Sequence, residues 1–294
     1  LHLSLRRQRQ MCIRDRLLLL TSMPSRAMDL EPYVQQAVPN LVGYLQVDTI
    51  NPPGNESRGV VYLSTLLDQA GIAYESVESA PGRGNLWAKL PATPDAEGNT
   101  LPALVLLHHI DVVPANAAHW SVDPLSGEQL DGYIYGRGAI DTKGLGIVQL
   151  QAFLALAASK QPLSRDVWYM ATADEEAGGF FGAGWLVENR PDLFADVGYL
   201  LNEGGSGRRF EQGVAVMVEV TQKVPLWLRM TASGRPGHGS APQVTTSVTR
   251  LIRGLERVRQ TEFPVNVVPA VAAMFEGLAP YQDASNRSQY AGIA

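Results

Sequence analysis

Ala103-Leu104-Val105-Leu106-Leu107-His108-His109-Ile110-Asp111 is an apolar run that ends on a histidine and an aspartate. The same ending recurs along the chain. Residues 167–172 lead into Asp174-Glu175-Glu176, and residues 197–201 lead into Asn202-Glu203-Gly204-Gly205. A further acidic residue, Asp141, stands in Gly136-Arg137-Gly138-Ala139-Ile140-Asp141-Thr142-Lys143-Gly144, a glycine-rich loop ahead of a helical stretch. Short apolar runs bounded by turn signals read as buried strands. In an open α/β sheet, ligands bind at the carboxyl ends of the strands. One imidazole and several carboxylates gathered at such ends suit a pair of hard or borderline divalent cations.

The segments around these runs fit that architecture. Residues 29–47 carry Leu30, Val34, Ala37, Val38, Leu41 and Leu45 at helical spacing, which predicts a helix. A second helix is expected at 57–70, closed by Gly71. Strands are expected at 74–78 and 85–90 around a turn at Pro81-Gly82. Residues 112–137, rich in Pro, Gly and Asp, show few periodic signals and read as a long loop. A helix at 144–159, a strand at 166–172, a helix at 182–189 and strands at 197–202 and 214–220 complete an alternating α/β order. Beyond about residue 221 the character changes. Residues 223–232 alternate as a strand, and 244–259 form an amphipathic helix bearing Arg250, Arg253, Arg257 and Arg259. Two domains are expected: a catalytic, metal-binding one at 28–221 and a smaller α+β one at 222–294.

Composition sets the bounds. A chain of 294 residues suits about two domains at roughly 150 residues each. With 45% apolar and 18% charged residues, it can bury large cores. The net charge of −5 argues against a nucleic-acid partner, which needs a basic face. Cys12 is the only cysteine, so no intrachain disulfide and no cysteine metal site can form. Any metal ligands must be His, Asp or Glu. Residues 1–27 carry five arginines in 1–16 and, after them, an apolar stretch of only four residues, 17–20. That is shorter than a signal-peptide core, and this segment is expected to be an unstructured or non-native leader. No run approaches the roughly 20 apolar residues of a membrane span. The expected location is cytoplasmic, with no membrane partner.

The acidic cluster supplies the parts of a two-metal hydrolytic site. Asp141, short and loop-borne, could bridge two cations. His109 is a natural imidazole ligand, and Asp111 could accept a hydrogen bond from its other nitrogen and fix its tautomer. Glu175 and Glu176 are adjacent, so their side chains diverge: one can bind metal while the other acts as base. Glu203 completes a His–Asp–Glu set. Two divalent cations against Asp141, Glu176 and Glu203 leave net positive charge. Taken singly, each of these residues would read as a solvated loop carboxylate or, for Asp174-Glu175-Glu176, as a helix N-terminus. Their conjunction at strand ends carries the reading. Gly136-Arg137-Gly138 lacks the third glycine of a dinucleotide loop, no His-Glu-x-x-His occurs, and Gly237-His238-Gly239-Ser240 is not a nucleophile elbow.

At these residues the chain resembles the metallopeptidase family of aminoacylase, carboxypeptidase G, acetylornithine deacetylase and succinyl-diaminopimelate desuccinylase. The matching stretches are His109-Ile110-Asp111-Val112-Val113-Pro114, residues 120–124, residues 135–144, Asp174-Glu175-Glu176, Asn202-Glu203-Gly204 and Gly237-His238-Gly239-Ser240-Ala241-Pro242. Asn202-Glu203-Gly204-Gly205 and residues 274–280 look closest to its carboxypeptidase S branch. The resemblance implies a di-zinc exopeptidase-type domain, a mixed central sheet flanked by helices, with a smaller ferredoxin-like lid that also makes dimer contacts. It implies that His109 and Glu203 bind one zinc, Glu176 the other and Asp141 both, with cobalt or manganese as possible substitutes. It implies that Asp111 orients His109, that Glu175 is the general base, and that His238 of the lid, in dimeric members, reaches the partner's active site to stabilise the oxyanion. The peptide bond after Asp141 would be cis. The family's second zinc takes a further histidine after the lid, and no His follows His238. The expectation is therefore a C-terminally truncated chain with an incomplete lid.

The implied activity is hydrolysis of an amide bond in a small peptide or N-acyl amino acid, by a zinc-bridged water and a glutamate base. The rivals are a non-catalytic or inactive fragment of such a hydrolase, and a single-metal hydrolase. The last would leave Glu176 or Glu203 without a metal role.

Overall fold

The computed structural model describes residues 28–211, 213–220, 222, 226–241 and 243–293. The expected leader at 1–27, with Cys12, lies outside the described residues, as do Lys223, Val224, Pro225 and Pro242. The chain divides into two compact units, one ending at Glu203 and the other starting at Gly204.

In the first unit, helices α1 (Glu31–Leu45) and α2 (Glu56–Gln69) precede strands β1 (Tyr74–Glu78), β2 (Gly84–Leu90) and β3 (Leu101–His109). A small hairpin follows, β4 (Glu128–Leu130) and β5 (Tyr133–Tyr135), then helix α3 (Lys143–Ser159) and strand β6 (Arg165–Thr172). Helix α4 (Ala183–Asn189) and strand β7 (Val197–Leu201) end the unit. The main sheet has the order β1-β2-β6-β3-β7. β1, β2 and β6 pair antiparallel, whereas β6, β3 and β7 run parallel. This is the expected mixed α/β sheet flanked by helices.

Both faces of the sheet are covered, which explains the near-continuous apolar runs. Successive side chains point to opposite faces. Leu86, Ala88, Leu106, Val167, Tyr169 and Ala171 meet Tyr44 of α1, Leu63 and Leu67 of α2, and Ile147, Leu150 and Phe153 of α3. Trp87, Val105 and Met170 face the other way, onto Leu186 of α4 and Leu193. Strand β7 is the sheet's border, and its Tyr199, Leu200 and Leu201 are exposed. Because β6, β3 and β7 are parallel neighbours, their carboxyl ends lie side by side, and Asp174, His109 and Glu203 sit at or just beyond them.

The long segment at 112–137 is less featureless than its composition suggests. It holds the β4–β5 hairpin and a single 3-10 turn at Ala117–His119. The hairpin is short and largely exposed, so it carries no apolar alternation to announce it.

The second unit holds the antiparallel pair β8 (Ser206–Phe210) and β9 (Gly213–Met217), and helices α5 (Ser247–Arg259), α6 (Pro269–Leu278) and α7 (Ala284–Ala291). Helix α5 opens on a capping box between Thr246 and Thr249, and has Arg257 and Arg259 in its last turn. Those cations complement the negative end of the helix dipole. The strand expected at 223–232 is corrected: its described part, 226–232, is irregular. Leu226, Trp227 and Leu228 are exposed. Alternation makes a strand only where a neighbouring strand takes its backbone hydrogen bonds, and none does so among the described residues.

Candidate metal centre

Each acidic motif is placed by a backbone feature. His109 is the last residue of β3 and is 2% exposed. Its Nδ1 lies 2.8 Å from the main-chain carbonyl of Asp111. A carbonyl accepts only, so Nδ1 carries a proton and Nε2 is left to face the site. The carboxylate of Asp111 stands further off, 3.5 Å from Nδ1. Its oxygens instead accept the backbone N–H groups of Glu175 at 3.0 Å and Glu176 at 3.1 Å, and the side-chain amide of Asn51 at 2.8 Å. The buried Asp111 thus holds the turn that presents the two glutamates.

That turn begins at Asp174, whose φ of 68° is left-handed, and Glu175–Ala177 form one 3-10 turn. Gly178 and Gly179 follow with φ of 111° and 73°, conformations that glycine adopts without a Cβ clash. The reversal leaves Glu175 exposed and Glu176 half-buried.

Asp141 comes from the loop before α3, and the Asp141–Thr142 peptide is cis, as the resemblance implied. The loop is moored by Lys143, which is fully buried and donates from Nζ to the carbonyls of Tyr44 at 3.1 Å and Val47 at 2.7 Å. Burial pulls the Lys143 ammonium down to about 7.

These elements bring His109, Asp141 and Glu203 together, with one ligand atom from each inside a 4.8 Å cluster. His109 Nε2 lies 2.9 Å from Asp141 Oδ1, 3.7 Å from Glu203 Oε2 and 3.9 Å from Glu175 Oε2. Glu176 is not part of the three-residue cluster, although it lies within the electrostatic reach of Asp141 and Glu175. His238 belongs to the second unit, in an exposed loop. Its Nδ1 accepts from the backbone N–H of Ser240 at 3.2 Å and sits 2.7 Å from the Ser240 hydroxyl. The neutral ring therefore carries its proton on Nε2.

The electrostatics mark a site with too few cations. Burial alone would lower the His109 pKa, but the Asp111 carboxylate, then Asp141 and Glu203, outweigh it and raise it to about 10. Glu176 is pushed above the usual carboxylate range by burial and by Asp141 and Glu175, with His109 opposing. Glu203 is raised in the same way, by burial first and then by Asp141 and Glu175. Converging O and N donors whose pKa values rise for want of a counter-charge fit a divalent metal.

Reading the sequence missed three residues behind the site. Asn51, Glu56 and Arg83 are all buried and reach Asp111 and Asp174 through hydrogen bonds and ion pairs. Asn51 falls between the two predicted helices, and Arg83 follows the predicted turn at Pro81-Gly82. No local pattern links them.

Residues 105–280 match the model of peptidase family M20/M25/M40. Aminoacylase-1 of Sus scrofa is 36% identical over 199 residues, covering 67% of this chain and 47% of that protein. An N-fatty-acyl-amino acid synthase/hydrolase of Xenopus tropicalis is 38% identical over 177 residues, 58% of this chain and 34% of that one. Among solved structures, human carnosine dipeptidase 1 aligns with a TM-score of 0.49 at 23% identity, over 59% of this chain and 39% of that chain. The chain spans about half the length of the aminoacylases it matches.

Proposed function

Since the chain belongs to peptidase family M20/M25/M40, we propose that it carries the metal-binding part of a zinc-dependent hydrolase that cleaves the amide bond of an N-acyl amino acid or small peptide. The observation that carries this reading is the convergence of His109, Asp141 and Glu203 beside Glu175. The relatives' names, aminoacylase and N-fatty-acyl-amino acid synthase/hydrolase, support the N-acyl amino acid as substrate class.

In this proposal His109, Asp141, Glu176 and Glu203 would hold a pair of zinc ions, with His109 and Glu203 serving one, Glu176 the other and Asp141 shared. When bound, such a pair lowers the pKa of water from about 15.7 to about 7 and polarises an amide carbonyl. Glu175 is the base. It takes the proton of the attacking water and passes it to the amide nitrogen as the C–N bond breaks, giving a carboxylic acid and an amine. Asp111 acts on Glu175 and Glu176 together, because its two oxygens hold both their backbone N–H groups. In a dimer, His238 would be the donor to the developing oxyanion in the partner's site, through its Nε2–H. The second unit would serve as lid and dimer contact. No helix among the described residues is long and apolar enough to cross a membrane.

The test is the zinc content of the purified chain together with release of free amine from a panel of N-acyl amino acids and dipeptides. About two zinc equivalents and turnover are expected of a paired site. A chain that retains no zinc overturns the proposal. One observation favours a second reading: among the described residues only His109, Asp141 and Glu203 cluster, and three protein ligands suffice for a single catalytic zinc. Glu176→Gln separates the two, since it removes half the zinc from a paired site and none from a single one.

A further inference from the structure

The turn that carries Glu175 and Glu176 is held from behind by a buried polar chain. Arg83, immediately before β2, presents one terminal nitrogen to two carboxylates, those of Glu56 at 3.1 Å and Asp174. Its other terminal nitrogen donates to the Pro53 carbonyl at 2.5 Å and to Asn51 Oδ1 at 3.3 Å. Asn51 Nδ2 then donates to Asp111 Oδ2 at 2.8 Å and to Asp174 Oδ1 at 3.2 Å. Asn51 is fixed in turn by its backbone N–H, which donates to Val112 at 2.8 Å. Beyond the turn, the Asp174 carboxylate accepts the N–H of Phe181 at 3.2 Å, and the Arg83 guanidinium stacks on the Phe181 ring at 5.3 Å.

This arrangement is poorly suited to adding stability. One guanidinium serves two buried carboxylates, and Glu56 Oε2 and Arg83 Nε are buried without a hydrogen-bond partner. Buried ion pairs of this kind are often no better than an apolar replacement. Their geometry is specific, however, and it bears on a segment that needs restraint. Asp174 is a non-glycine residue at left-handed φ, and two glycines at positive φ follow it. Such backbone persists only where its surroundings over-determine it.

We propose that Asn51 and Arg83 are positioning residues for the Glu175–Glu176 turn: acting through Asp111 and Asp174, they set where the base and the neighbouring metal ligand point. They touch neither cation nor substrate. The roles of Glu175 and Glu176 rest on the function proposed above; the restraint itself does not.

The experiment uses the whole chain with two variants, Asn51→Ala and Arg83→Lys. The first removes the amide bridge without changing charge. The second keeps the charge and loses the planar fork. Amide hydrogen exchange is followed in the metal-free protein, and zinc affinity by competition with a chromogenic chelator. Exchange across residues 174–182 is expected to quicken about tenfold or more while β3 and β6 keep the parental rates. Zinc affinity is expected to fall about 10–100-fold, as for other residues that orient ligands. Parental exchange at 174–182, an equal acceleration in β3 and β6, or parental zinc affinity in both variants overturns the proposal. If the parent itself takes no zinc, the proposed function fails while the exchange measurement still decides the restraint. Should one variant not fold, the other carries the test.

Discussion

His109 Nε2 stands 2.9 Å from Asp141 Oδ1, so the two groups share a proton where a cation would otherwise lie between them. The surrounding carboxylates raise the His109 pKa to about 10, and only the neutral ring can bind metal. Below pH 10 each binding event must therefore expel that proton. Zinc affinity should rise about tenfold per pH unit between pH 6 and 8, measured by chelator competition in low-affinity buffer. A flat profile would show that His109 is not a ligand. His109→Ala should weaken zinc binding by more than about a hundredfold, beyond the loss typical of a residue that merely orients a ligand.

Glu175 is exposed and lies 3.9 Å from His109 Nε2, outside the cluster of His109, Asp141 and Glu203. Glu175→Gln keeps the shape and removes the base. Turnover of an N-acyl amino acid should fall by about 10²–10⁴, with zinc content unchanged. Loss of zinc along with turnover would instead make Glu175 a ligand.

Glu56 offers a test by pH. It is fully buried, and desolvation raises its pKa from 4.5 to about 7, with Arg83 pulling the other way. A carboxyl whose folded pKa is raised favours folding in its protonated form. Its contribution is complete below about pH 4.5 and is lost as pH rises through 7. The displacement corresponds to roughly 3 kcal/mol between the two protonation states. Glu56→Gln should therefore flatten the fall in stability between pH 5 and 8 and match or exceed the parent at pH 8. Urea denaturation at both pH values is the measurement, and a variant that tracks the parent's slope would place the titration elsewhere.

Gly146 sets helix propensity against packing. It lies in α3, and a Cβ there would run into the buried ring of His108. Alanine improves helix propensity by about 1 kcal/mol, whereas crowding a packed core costs about 1–3 kcal/mol. The ring is enclosed by Tyr44 and Tyr169 and has little room to yield. Gly146→Ala should therefore lower the urea midpoint, and a raised midpoint would mean that the ring moves aside.

The strands that carry the site were legible in the sequence because burial on both faces writes itself as an uninterrupted apolar run. Residues 103–108 and 167–172 could hardly be anything else, and their polar ends mark where the sheet opens to ligand. The cluster was legible for the same reason: its three residues close three readable elements. The restraint behind it was not. Asn51, Arg83, Asp111 and Asp174 meet only through the fold, and each alone looks like a loop or turn residue. Strand β8 escaped because Ser206-Gly207-Arg208-Arg209-Phe210 is almost wholly exposed and carries no apolar face. Residues 226–232 misled in the opposite direction: alternation records which residues a sheet would bury, and says nothing of whether a neighbouring strand is there to pair with.

His109, Asp141 and Glu203 close β3, the loop before α3, and β7, so the first and last of them are separated by most of a domain. A growing polypeptide emerges in order, and it exposes His109 long before Glu203 exists. A cation held by all three would therefore be acquired late, after the sheet is in place, and the raised basicity of His109 in the folded, metal-free chain would supply a counter-charge until the cation arrives. Once taken up, the metal would fasten both ends of a long stretch of chain. Starvation for metal would then shorten the lifetime of the newly made protein as well as silence it.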